Sequence, residues 1–461
     1  MGSRDRSRTH ETRSTVPRWW PVAAVILAGA AFLAHDRLLG FTDYYGLFGN
    51  GVDALVYRHG GLTARSPEPL YSFFLFDSLP FTYPPFAALM FVPLSLLSVA
   101  GTTIAVNLVN LVLLYLVVRL SWRALGYEDS VRMRVVSVGA AVALTWIEPV
   151  RMTLWLGQIN LVLLVLVLWD LSRPEQSRLR GIGVGLAAGL KLTPAFFIAY
   201  LVVVRQWRAA MVATVTFAVT IVAGFVVIFT DAWQFWTSAI IRSDRIGLIS
   251  SPANQSVRGI LARALHTQEP PMWLWLMCAA VVAGVGLWAA QLAHRHGRHL
   301  LSLTVCGLTA PMVSPFSWGH HWVWVVPLLV VCLDQAVRWG RWWGYLLPVA
   351  AAVPLSAWYR SYPDGVVAIG VFMTPGEPLV RTLLQSAYPI VFAVLIVVVL
   401  ITYGRAPTRA AVPEEEQVPT ADRSPTMVMA PVVITSPVVE EGKTASGSFG
   451  EGSKDSPAPR V

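Results

Sequence analysis

The sequence predicts an all-α polytopic membrane protein of about a dozen membrane helices, short broken or re-entrant ones among them. Three observations carry that prediction. Of the 461 residues, 55% are hydrophobic and 13% charged, against about 25% charged in an ordinary soluble domain. Apolar runs long enough for a hydrocarbon core of about 30 Å recur along most of the chain. Lys and Arg fall mostly between those runs, so the net charge of +9 reads as positive-inside bias and not as a nucleic-acid surface. Each crossing is expected to be helical, because backbone groups in lipid have only one another as partners.

Taken in order, Arg4, Arg6, Arg8, Arg13 and Arg18 precede a first span from Trp19 to Leu39. The arginine-rich arm, residues 1–18, is expected in the cytoplasm, and the span is read as an uncleaved anchor although Ala28-Gly29-Ala30 imitates a cleavage site. A polar outer loop then runs from Phe41 to Pro85, carries Asp53 in the string Gly51-Val52-Asp53-Ala54-Leu55-Val56-Tyr57, and closes on Phe81-Thr82-Tyr83-Pro84-Pro85. Phe86 to Ser98 is apolar but short and interrupted by Pro93, which suits a re-entrant or interfacial helix. Val99 to Leu120 crosses inward to Arg119, Arg123, Arg132 and Arg134; Val135 to Ile147 goes out; Glu148 to Gln158 is an outer turn; and Ile159 to Leu171 returns toward Arg173, Arg178 and Arg180.

Ile182 to Val204 has basic residues at both ends, which forbids a single crossing. Midway stands Gly189-Leu190-Lys191-Leu192-Thr193-Pro194. Pro removes a backbone donor, and Lys in lipid costs roughly 2.5–3.5 kcal/mol on insertion scales. A broken hairpin with Lys191 at its tip satisfies both facts. Ala209 to Phe229 then goes out to a second outer loop, 230–271, with Asp231, Asp244 and Asn254-Gln255-Ser256. Met272 to Leu292 comes in to a basic collar at His294-Arg295-His296-Gly297-Arg298-His299, Leu300 to Met312 goes out to a loop containing Trp318-Gly319-His320-His321-Trp322, and Val323 to Ala336, Trp342 to Trp358 and Ala387 to Tyr403 complete the set. Residues 404–461 are rich in Pro, Ser, Thr, Glu and Lys without periodicity and predict a disordered cytoplasmic tail.

Cys278, Cys306 and Cys332 lie in apolar runs without CxxC spacing, so they suggest core packing and not a disulfide or zinc site. No P-loop or dinucleotide fingerprint occurs. The unusual polar groups converge on the outer side: Asp53, Tyr83, Glu148, Arg151, Gln158, Asn160, Lys191, Asn254, Gln255, His320 and His321. Ionisable groups at membrane depth are costly and read by default as a site, the carboxylate suited to taking a proton and the cations to a phosphate. Blander roles stand beside that one: interhelical hydrogen bonding for Gln158 and Asn160, interfacial placement for the histidines, and a local ion pair for Glu148 and Arg151.

The D-x-x-V-Y string at Asp53, the T-Y-P-P string at Thr82, G-Q-x-N at Gly157–Asn160, G-L-K-x-T-P at Gly189–Pro194, N-Q-S at Asn254 and S-x-x-H-H at Ser317–His321 together resemble the actinobacterial mannosyltransferases that use polyprenyl-phosphate mannose. Within them the chain is most similar to the α-1,2-mannosyltransferases of phosphatidylinositol mannoside and lipomannan synthesis. The resemblance spans Trp19 to about Tyr403 and implies a GT-C fold in the plasma membrane with its site on the outer side. It also implies an inverting transfer from a β-linked donor, with Asp53 as general base and Asp43, outside the motif, ranked second. Lys191 with His320 or His321 then holds the donor phosphate, and Tyr57, Tyr83, Gln158, Asn160, Asn254 and Gln255 bind substrate. The expected partners are the polyprenyl-phosphate mannose donor, a mannosylated glycolipid acceptor and membrane lipid, with no nucleic acid and a monomeric chain. With no D-x-D string and a basic set in its place, neither a metal nor another cofactor is expected. Two alternatives stay open: an arabinofuranosyltransferase on the same carrier, and a transporter of lipid-linked glycans.

Overall fold

The computed structural model describes residues 16–404 apart from 77, 242–246 and 363–364. Most of the N-terminal arm, the tail beyond Gly404 and Asp244 therefore lie outside the described residues. The chain begins with α1 (Trp20–Leu38), close to the expected first span. The stretch read as a polar loop holds more structure than its composition announces. It contains α2 (Val52–Thr63), a short hairpin of β1 (Phe74–Leu75) and β2 (Leu79–Pro80), and the start of α3 (Pro85–Ser95). After α4 (Val99–Ala124) and α5 (Val131–Leu144), the expected outer turn is also a helix, α6 (Glu148–Leu156), which meets α7 (Asn160–Leu171) at a bend of 120°.

The broken hairpin is present. α8 (Ile182–Leu190) ends at Lys191, whose backbone is extended, a single 3-10 turn covers Thr193–Ala195, and α9 (Phe196–Val203) returns. Its two ends meet, with Arg180 Nε donating to Gln206 Oε1 at 3.0 Å. α10 (Trp207–Val227) packs along α8 so closely that a Cβ on Gly185 would lie 2.5 Å from Thr216 Cβ and 2.6 Å from the Ala213 carbonyl oxygen. The second outer stretch holds α11 (Phe229–Thr237) and α12 (Val257–Ala264).

α13 (Met272–Arg295), α14 (His299–Val313) and α15 (Val325–Trp339) follow, and α14 is buried at every position from Leu300 to Met312. A helix apolar all round belongs in the middle of the bundle. Beyond α16 (Leu346–Leu355) the apolar run taken to Trp358 turns into β3 (Ala357–Tyr362), paired antiparallel with β4 (Gly365–Gly370) in the register Ala357↔Gly370. α17 (Pro378–Leu384) and α18 (Ala387–Tyr403) close the described chain.

Among the described residues four helices, α1, α4, α10 and α13, are long and apolar enough to cross a membrane, or up to six spans if the bent pairs α6–α7 and α17–α18 each count once. The expected dozen is not reached by length because Pro and Gly divide the remaining apolar sequence into helices of 10–17 residues such as α3 and α14.

Candidate active site

Asp53 owes its position to the entry of α2. Gly51 adopts φ 66°, a left-handed conformation that glycine accepts without penalty, and its N–H donates to the Trp155 carbonyl at 2.7 Å. Asn50 Oδ1 accepts from the Val52 N–H at 2.9 Å. Asp53 thus stands in the first helical turn, where the helix dipole favours a carboxylate. The facing wall is the α6–α7 bend. Gly157, also left-handed at φ 73°, lies so near Ala54 that a Cβ there would come within 2.7 Å of Ala54 Cβ. The bend turns Gln158 toward Asp53, and its Nε2 donates to Asp53 Oδ2 at 2.5 Å.

Two tyrosines decide which way the Gln158 amide faces. Tyr57 donates to Gln158 Oε1 at 2.9 Å, Tyr83 reaches the same oxygen at 3.3 Å, and the two hydroxyls meet at 2.8 Å. With the carbonyl oxygen occupied by hydroxyls, the amide nitrogen is left to donate to the carboxylate. Asp53 Oδ1 remains without a protein partner among the described residues. Burial is the largest influence on Asp53 and pushes its pKa up to about 6, against the Gln158 hydrogen bond and the Lys191 charge, which pull it down.

Lys191 is held by the helix break. Its Nζ donates to Asn160 Oδ1 at 3.1 Å and reaches His321 Nε2 at 3.1 Å. An ammonium only donates, so His321 Nε2 accepts and its proton sits on Nδ1. Burial first, and the Lys191 charge next, hold the His321 pKa well below its ordinary value. The imidazole is therefore neutral at physiological pH. The expectation that a histidine adds positive charge is corrected here: His321 aims the ammonium, and two of three N–H bonds are used in doing so. Asn160 Nδ2 donates to the His320 carbonyl at 2.8 Å, fastening the histidine loop to the same wall.

Asp53, Tyr83, Gln158, Lys191, His320 and His321 line one cavity of about 750 Å³. Lys191 and His321 also border an apolar slit formed by Leu163, Leu164, Val167, Phe197 and Ala310. Asn254 and Gln255 are not brought to the cavity wall. Asn254 Oδ1 accepts from the Ser317 N–H at 3.1 Å and the Ser256 hydroxyl at 2.8 Å, and Gln255 Nε2 donates to the Pro252 and Gln385 carbonyls at 2.6 and 2.9 Å. They brace the loop that carries the histidines. Asp43 is exposed on the 41–49 turn, away from the cavity.

Glu148 and Arg151 do not form the expected ion pair. Arg151 Nη2 donates to the Tyr45 carbonyl at 2.5 Å, and Glu148 Oε2 accepts from the Tyr388 hydroxyl at 2.5 Å. Glu148 also lines the cavity, as do Trp155, Phe372 and Trp318. The sequence marks Glu148 as one of the converging polar groups but carries no local signal of its distant partner.

A buried carboxylate and an aimed ammonium around one cavity, in a frame of membrane-capable helices, define a membrane protein equipped for group transfer. The chain belongs to glycosyltransferase family 87, whose profile matches residues 81–315. A polyprenol-phosphate-mannose-dependent alpha-(1-2)-phosphatidylinositol mannoside mannosyltransferase of Mycolicibacterium smegmatis is 32% identical over 85% of this chain and 91% of its own. The protein of the same description from Mycobacterium tuberculosis is 34% identical over 68% and 74%. A polyprenol-phosphate-mannose-dependent alpha-(1-2)-phosphatidylinositol pentamannoside mannosyltransferase of M. smegmatis is 35% identical over 77% and 88%. No solved structure gives a significant match.

Proposed function

We propose that the chain is a polyprenyl-phosphate-mannose-dependent α-1,2-mannosyltransferase acting on a phosphatidylinositol mannoside or lipomannan acceptor. Its site opens on the outer side of the plasma membrane, within a GT-C frame that spans residues 19–403 and works as a single chain. The relatives' described activities support the substrates. The observation that carries the mechanism is that Asp53 and Lys191 face the same cavity while Lys191 also borders the apolar slit. A donor whose phosphate lies at Lys191 has a place for its sugar in the cavity beside Asp53.

The reaction follows from those positions. An acceptor hydroxyl attacks mannose C1 on the face opposite the phosphate and gives its proton to Asp53 Oδ1. The new C1–O bond forms as the bond from C1 to the phosphate oxygen breaks, and the electron pair leaves with that oxygen. Lys191, with one N–H still free, stabilises the charge that develops there. Backside attack on a β-linked donor gives the α linkage. Gln158 keeps Oδ2 engaged, so Oδ1 faces the acceptor.

Purified protein in lipid nanodiscs, supplied with labelled polyprenyl-phosphate mannose and a panel of mannosylated lipids, should form α-1,2-linked product without added metal. Label that stays on the carrier with every acceptor, or transfer only from the arabinose-bearing carrier, would overturn the reading.

A further inference from the structure

The mechanism uses Asp53 and Lys191 and leaves a second buried carboxylate in the cavity unassigned. Glu148 is 2% exposed and stands in the first turn of α6. One of its oxygens is fixed: Oε2 accepts from Tyr388, itself fully buried, with its ring edge-on to Phe372 at 5.4 Å and to Trp322 at 5.5 Å. The backbone N–H of Tyr388 donates to Gln255 Oε1 at 3.2 Å. The carboxylate lies on the Gly319 backbone, where a Cβ would be 2.4–2.5 Å from its two oxygens. Oε1 has no hydrogen-bond partner among the described residues.

His320, next along the chain, supplies an independent observation. It is 5% exposed, its Nε2 has no partner among the described residues, and its ring lies parallel to Trp318 at 6.3 Å. Both side chains line the cavity, and neither borders the slit at Lys191 and His321. A buried acceptor and a buried imidazole nitrogen left open on one cavity, with the His320 ring 4.8 Å from that of His321, suit vicinal hydroxyls, each of which donates one hydrogen bond and accepts others.

We infer that Glu148, held by Tyr388, and His320 form a subsite that reads the hydroxyls of the acceptor's terminal mannose, an assignment that rests on the transfer reaction proposed above. A carboxylate steadied at one oxygen offers the other in a fixed direction, and a site built on buried polar groups rejects a sugar that leaves one of them unpaired.

The test pairs protein variants with acceptors in which one mannose hydroxyl other than the attacking 2-hydroxyl is replaced by hydrogen, with donor binding measured alongside. For the parent protein, one deoxy acceptor should lose roughly 10- to 100-fold in kcat/KM, the scale of a hydrogen bond to a charged group. In Glu148→Gln the full acceptor's KM should rise about 10-fold or more with kcat changed far less, donor affinity should hold, and the same deoxygenation should cost about 3-fold or less. Tyr388→Phe keeps the carboxylate and removes its anchor. It should raise acceptor KM by a smaller factor and serves if Glu148→Gln yields no folded protein. A merely structural Glu148 predicts that every deoxy acceptor loses the same factor in parent and variants, and that result overturns the subsite. Failure of the parent to mannosylate any acceptor is a different outcome and sinks the transfer reaction itself.

Discussion

At Asp53 two effects oppose each other, and the larger decides the working pH. Desolvation by burial pushes the carboxyl up, and the Gln158 hydrogen bond and Lys191 charge recover only part, leaving a pKa of about 6. A general base works in its deprotonated form and is most effective with a pKa near the operating pH. The acid limb of kcat/KM for the acceptor should therefore fall below about pH 6, where an ordinary carboxyl would hold its activity to about pH 4. Asp53→Asn keeps the shape, and should insert and bind donor while turnover drops by at least the roughly 10²- to 10⁴-fold typical of lost acid–base assistance. Single-turnover transfer and donor binding on the two proteins decide this. A variant that turns over near the parental rate removes Asp53 from the mechanism. Lys191→Ala should weaken donor use more than acceptor use. Lys191→Arg should not restore it, because a planar fork cannot take the paired positions that Asn160 and His321 give a compact ammonium. Full rescue by Arg would mean that charge alone matters there.

Elements were legible where one physical rule left little choice. Basic residues at both ends of Ile182–Val204, with Lys191 and Pro194 between them, were enough to derive the broken hairpin, and Arg180 meeting Gln206 is its closed base. α6 was not legible, because the partners that Glu148 and Arg151 do have, Tyr388 and Tyr45, lie far away in the chain. β3 and β4 were missed for another reason: six-residue strands rich in Trp, Tyr and Val merge with a preceding apolar helix when only hydrophobicity is read. The Asn254-Gln255-Ser256 string was legible as important but not as to kind, since side chains that brace a loop and side chains that touch a ligand have the same composition. The hairpin also makes a prediction. Since α8 carries Lys191 at its end, moving α8 off α10 should move the ammonium. Gly185→Ala sets a methyl against the Ala213 carbonyl and Thr216, an overpacking that costs about 1–3 kcal/mol. Its unfolding midpoint in detergent should fall and donor affinity should fall with it, whereas Gly29→Ala, with nothing within 4 Å of the added carbon, should change neither. An unshifted midpoint for Gly185→Ala would mean that the α8–α10 contact yields freely.

Across the whole molecule, α10 acts as a ruler. Near its start Arg208 Nη2 donates to the Glu175 and Ser177 carbonyls at 2.9 and 3.0 Å, beside the paired Arg180 and Gln206. Just past its end, in α11, Asp231 accepts from the Leu70 N–H at 2.8 Å, and Tyr71 lines the cavity that holds Asp53. Its 21 residues rise about 30 Å at 1.5 Å each, the thickness of a hydrocarbon core. The cavity and the cluster around Arg173, Arg178, Arg180, Arg205 and Arg208 are thus expected to lie on opposite sides of the membrane. Arginine-rich connections tend to stay in the cytoplasm, so the cavity is expected outside. Two single cysteines test this, placed in a background with Cys278, Cys306 and Cys332 changed to Ala. Ser72→Cys, exposed beside Tyr71, should react with an impermeant maleimide on intact cells. Gln176→Cys, exposed in the connection between α7 and α8, should react only after the cells are opened. Labelling of both on intact cells would place base and basic cluster on one side and overturn the opposite-sides arrangement, and labelling of Ser72→Cys only after the cells are opened would overturn the outward-facing site.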